Sequence, residues 1–162
     1  MSAARKTLIF GGLLLAAFGM LYGLHYAVFV EHQTLDRMSG SLAAAFVHAA
    51  EGHLPQAESA LESYTSAKYV YVRQVDAHSH WIGLAMLLIV MGAIFDQVAF
   101  SDRVRLWIAV ALLAGAVAFP LGVMLQTVSR GAFFASALAV LGSALVTIAL
   151  AAVAWGLAGR VD

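Results

Sequence analysis

Val75-Asp-Ala-His-Ser-His-Trp-Ile-Gly83 is the point where a polar stretch runs into an apolar one with no helix breaker between them. Upstream, residues 56–82 contain neither Gly nor Pro, and Pro55 stands where a first helical turn tolerates it. Downstream, residues 81–100 form an apolar run of the roughly 20 residues that cross a bilayer. The stretch therefore reads as one long helix, outside the membrane at its start and spanning it at its end. Leu61, Tyr64, Lys68, Tyr71, Val75, His78, Ile82, Ala85 and Ile89 recur at spacings of three and four, the period of one helical face.

Working outward, three more spans follow from length and hydropathy. Residues 7–30 are apolar apart from Thr7, Tyr22, His25 and Tyr26. That run is longer than the apolar core of a cleavable signal, so it reads as an uncleaved anchor. Residues 106–126 and 133–157 supply the third and fourth spans, the third containing Pro120 and the fourth rich in Ala and Gly. Residues 31–79 form the only long polar segment, with Ser41 to Ala50 reading as a short helix. The expected fold is an all-α membrane protein, one domain over residues 1–162. Four transmembrane helices form a bundle, the first two extended by a helical extracytoplasmic segment.

Composition agrees. Of 162 residues, 62% are hydrophobic and 11% charged, too few charges to cover a soluble surface. Nine basic residues balance nine acidic ones, so nothing points to nucleic acid. The absence of cysteine removes disulfides, iron–sulfur clusters, thiolate metal sites and c-type haem attachment. Any metal must use His, Met, carboxylate or backbone donors. Arg5, Lys6, Arg103, Arg105 and Arg160 share one side if both termini are cytoplasmic, as the positive-inside rule requires. The expected location is a bacterial inner membrane.

Histidine at membrane depth is costly, and His25, His78 and His80 lie near one boundary. Each reads as a ligand or as a polar residue satisfied between helices or at the interface. A second stripe, Phe18, Leu21, His25, Val28, His32 and Leu35, is expected to face the first and set histidines on both sides of one seam. Gly19 and Gly23 fall away from His25 and serve helix packing. His78 and His80 are two apart and point about 200° from each other, so a regular helix cannot offer both to one haem. His32 is an alternate ligand. His48 and His53 read as solvated loop residues that, with Glu51, could hold Zn or Cu loosely. Arg73, Arg130, Lys68 and Gln126 gather near the outer boundary, as propionate donors or as ordinary interface residues. Asp96 is either an intramembrane proton carrier or an interfacial carboxylate meeting Arg103 or Arg105.

Ala77-His-Ser-His-Trp-Ile-Gly83, with residues 84–92 and then Asp96, resembles the opening of the second helix in small four-helix proteins related to haem–copper oxidase subunit I. In the large oxidases of that family, a histidine near the outer end of this helix ligates a low-spin haem b. The resemblance implies His78 or His80 as that ligand, and the stripe favours His78. The family's partner histidine sits on a tenth helix that this chain lacks, and its copper-site histidines have no counterpart here. The second ligand would then be His25 or come from another subunit.

The expected function is a membrane b-type haem electron-transfer protein, passing electrons between quinol and a partner redox protein, with His25 and His78 as axial ligands. The alternatives are an accessory subunit of a larger membrane complex or homo-oligomer, a copper or zinc site built from His25, His32, His78 and His80, and a sensor.

Overall fold

The computed structural model describes residues 1–128 and 132–159, and Arg130 and Arg160 lie outside them. Five α-helices follow in order: α1 (Ala3–Phe29), α2 (Glu31–Ala50), α3 (Leu54–Ile94), α4 (Asp102–Val128) and α5 (Phe133–Ala158). A 3-10 turn, Phe95–Gln97, ends α3. Four helices are long and apolar enough to cross a membrane: α1, α3 with its terminal turn, α4 and α5.

The long helix read from the sequence is present. α3 runs 41 residues, about 60 Å at the helical rise, with Pro55 in its first turn. α4 and α5, at 27 and 26 residues, are about 40 Å long, so the N-terminal part of α3 projects past them. There it packs on α2 in an antiparallel hairpin. α2 begins at Glu31, ten residues earlier than expected, and passes through Gly40, whose surroundings are open. α1 and α2 are nearly one helix. The Val30 N–H still donates to the Tyr26 carbonyl (2.9 Å) and the Thr34 N–H to the Val30 carbonyl (3.1 Å). The Thr34 hydroxyl donates to that same carbonyl at 3.0 Å. Such side-chain back-bonding bends helices, and Val30 departs to φ −121°.

At one end, here the basic end, the starts of α1 and α4 meet the ends of α3 and α5. The Ser2 hydroxyl and Arg5 guanidinium reach the Asp96 carboxylate at 2.5 and 3.4 Å. Arg105 donates to the Asp96 carbonyl (3.1 Å) and pairs with Asp102. The Asp96 carboxylate thus pairs with Arg5 and not with the Arg103 or Arg105 expected from the sequence; Arg105 reaches only its backbone carbonyl. The Ala99 N–H donates to the Gly156 carbonyl (2.8 Å), tying the turn to α5.

The core follows side-chain size. α1 buries Ala4, Leu8, Gly12, Leu15, Gly19 and Tyr26. α3 buries Ala77, Trp81, Ala85, Leu88 and Gly92 along the same seam. The expected α1 stripe faces outward instead: Phe18, Leu21 and Val28 are 49, 68 and 57% exposed. Lipid is as apolar as leucine, so hydropathy does not choose the inner face; the glycines do, because they let the backbones approach. α5 repeats this with Ala135, Ala139, Gly142, Val146, Ala149 and Val153 turned inward. Its small face is covered by α4, and its outward face carries Val140, Leu141, Ile148 and Trp155.

Candidate functional site

The opposite end, the histidine end, is less completely packed. Ala77, Val123 and Ala139 form a small buried cluster there, with Tyr22, Phe119 and Met124 against it. Beside it lies a pocket of about 250 Å³ between α1, α3 and α4. Tyr22, His25 and Tyr26 line it from α1, Gln74 from α3, Met124 and Thr127 from α4. The spacing 22, 25, 26 places the three α1 side chains on one helical face.

Two buried phenols line it. Tyr26 is 7% exposed, and the Thr34 hydroxyl, which donates to the Val30 carbonyl, keeps its own oxygen as an acceptor on the Tyr26 side. The Tyr22 hydroxyl is buried without a hydrogen bond. Buried polar groups are nearly always paired, so this orphan lining the pocket indicates a partner supplied from within it. The Trp81 indole N–H is a second orphan. Trp81 is 3% exposed and packs edge-on to Phe18 (4.9 Å between ring centres), so it is a core residue and not the boundary aromatic its position suggests.

The histidines divide among neighbours. His25 is exposed at the pocket mouth, 5.4 Å from the Phe29 ring centre. His78 faces α1: its Nδ1 lies 3.1 Å from the Gly19 carbonyl, and its ring covers Gly23, where a Cβ would come within 2.6 Å of Nδ1. His80 faces α4, with Nδ1 2.6 Å from the Asp76 carbonyl and its ring edge-on to Phe119 at 4.5 Å. Neither turns to lipid. In both, a backbone carbonyl beside Nδ1 fixes the proton there and leaves Nε2 as the acceptor, the arrangement common in ligating histidines. His32 is exposed on α2. Arg73 pairs with Asp76 (4.0 Å) and lies over the Tyr69 ring, while Lys68 lies over Tyr64. Arg130 lies outside the described residues.

A haem between His25 and His78 needs both nitrogens on one cavity. The pocket that His25 lines does not include His78. At about 250 Å³ it falls below the roughly 300–1,000 Å³ usual for drug-sized ligands, and a haem is larger than most of those. That pair therefore does not fit a haem as the helices stand. The four-histidine metal set is not assembled either. Among the described residues, the group of three or more His or acidic side chains close enough to share an ion is His48, Glu51 and His53.

Tyr22, Tyr26 and Gln74 were not singled out as site residues from sequence. The available signal was a pair of tyrosines at i and i+4 flanking His25 within a span. A larger open trough of about 960 Å³ runs between α2 and α3, lined by Thr34, Arg37, Glu58 and Glu62, and includes no histidine. Comparison with protein families, curated proteins and solved structures finds no match to this chain.

Proposed function

We propose that the protein is a membrane redox subunit whose histidine-end pocket binds the ring of a quinol. The orphaned Tyr22 hydroxyl, with the Tyr26 hydroxyl beside it in an otherwise largely apolar pocket, carries this reading. A quinol ring offers oxygen at both ends and an apolar body between them, matching phenols and Gln74 amide around Met124 and the α4 leucines. A mostly apolar hollow with a few convergent polar groups is the usual form of a small-ligand site. The redox class is supplied by the resemblance of about residues 70–125 to the haem–copper oxidase subunit I relatives.

In this reading the bound quinol gives two electrons to a partner redox protein and releases two protons. His25, at the exposed mouth, accepts the first on its free imidazole nitrogen and passes it to water. With the basic end in the cytoplasm, by the positive-inside rule, both protons leave on the outer side.

The test is equilibrium binding of a short-chain quinol to the full chain in nanodiscs, followed by Trp fluorescence. Tyr22→Phe and Tyr26→Phe should each weaken binding about two- to tenfold, one hydrogen bond apiece, while leaving ligand-free stability unchanged or higher. Equal affinity in the wild type and the double variant would sink the reading. Pyridine haemochrome analysis of the same single-chain preparation should show no stoichiometric haem.

A further inference from the structure

We infer that the tip of the α2–α3 hairpin is a divalent metal site of zinc class, formed by His48, Glu51 and His53. It is independent of the quinol pocket, about 30 Å along α3 from Gln74.

The turn itself makes the site. Helix α2 ends in a Schellman motif: the His53 N–H donates to the His48 carbonyl (2.8 Å) and the Gly52 N–H to the Ala49 carbonyl (3.1 Å). Gly52 holds φ +77°, which a side chain would strain. This reversal sets the His48 and His53 side chains against each other, where such motifs commonly place an apolar pair. Here the pair is two imidazoles, 6.3 Å between ring centres, with a carboxylate between them. Glu51 Oε2 lies 3.2 Å from His53 Nδ1 and 3.8 Å from His48 Nδ1.

One ligand atom from each residue lies within 4.8 Å of the others. Tetrahedral zinc with bonds near 2.0–2.1 Å needs donors roughly 3.3 Å apart, within reach of small rotamer changes. His48 Nδ1 is also buried and makes no hydrogen bond. Two neutral imidazoles and a carboxylate suit Zn²⁺ or Cu²⁺ and leave a fourth position for water or a donor from another molecule. His53 and Glu51 lie in the connecting turn, as the sequence suggested, but His48 is in the last turn of α2 and not in a loop, and the left-handed glycine is what gives a weak spacing signal its geometry.

The experiment is calorimetric titration of the full-length, tag-free, chelator-stripped protein in detergent with Zn²⁺ alone, with metal content measured after desalting. One Zn²⁺ per chain is expected, with Kd of about 1 µM or tighter. His53→Ala, His48→Ala and Glu51→Gln should each weaken it at least about tenfold, since even outer-shell changes act on that scale. Gly52→Ala removes no donor but strains the turn, and should weaken binding as well. His32→Ala should change nothing. Absence of binding up to about 100 µM, or full binding by the His48→Ala, His53→Ala double variant, overturns the proposal. Helicity by circular dichroism confirms that each variant is folded, as the exposed turn predicts.

Discussion

The α4–α5 seam and the α1–α3 seam are both glycine-lined, yet they differ in what the glycines touch. On α4, Gly115 meets the Gly142 carbonyl oxygen, and Gly122 meets the backbone of Ala139. On α5, Gly142 meets the backbone of Phe119. On α1, Gly12 also meets backbone, the Ala85 carbonyl oxygen and the Ile89 nitrogen, but toward the histidine end Gly19 meets the side chains of Ile82 and Trp81, and Gly23 meets the His78 ring. Backbone cannot yield; a side chain can turn. The first seam is therefore a fixed contact. The second is adjustable only at its histidine end, which adjoins the pocket lined by Tyr22 and Tyr26.

The largest effect should come from breaking the fixed seam. Gly122→Val would drive two methyl groups into the Ala139 backbone, with no side chain to move aside. A loss exceeding about 3 kcal/mol is expected, above the usual cost of overpacking, and thermal unfolding in detergent measures it. A stable Gly122→Val protein would show that α4 and α5 can part. Gly23→Ala should be milder, about 1 kcal/mol, because the His78 ring can rotate. Its specific signature is loss of the Nδ1 contact with the Gly19 carbonyl, read as a change in the His78 ring nitrogens by ¹⁵N NMR. An unchanged His78 signal would mean that the seam opens as a whole and is no more adjustable than its partner.

The same contrast explains what the sequence could reveal. The continuity of α3 was legible because no Gly or Pro interrupts residues 56–82. The four spans were legible from length and hydropathy. The faces were not. The α3 stripe shares Ala85 with the buried line Ala77, Trp81, Ala85, Leu88 and Gly92 but lies one position from it at His78, Ile82 and Ile89, and the α1 stripe is the exposed side. Hydropathic period marks the inside only where the outside is water. In lipid the period to follow is that of small residues, and Gly12, Gly19 and Gly23 already showed it. His25, His78 and His80 stood out by their depth, but which neighbour each meets depends on that rotation. The tip site depended on a single positive φ that composition does not show.

The smallest effect should come from the polar clamp at the basic end, where Ser2 and Arg5 tie α1 to Asp96. It gives the adjustable seam a fixed end that α4–α5 obtains from backbone contact alone. Asp96→Asn keeps an acceptor for the Ser2 hydroxyl and removes only the charge facing Arg5. That ion pair spans 3.4 Å, with side chains 35 and 38% exposed, so water and salt screen it. Melting temperature should barely move, and raising the salt should change the wild type as little. A large drop, absent at high salt, would assign the anchoring of α1 to charge and leave the glycine row a lesser part. The expected result leaves the reverse: the close approach at Gly12 and Gly19 holds the seam, and its histidine end stays free to adjust.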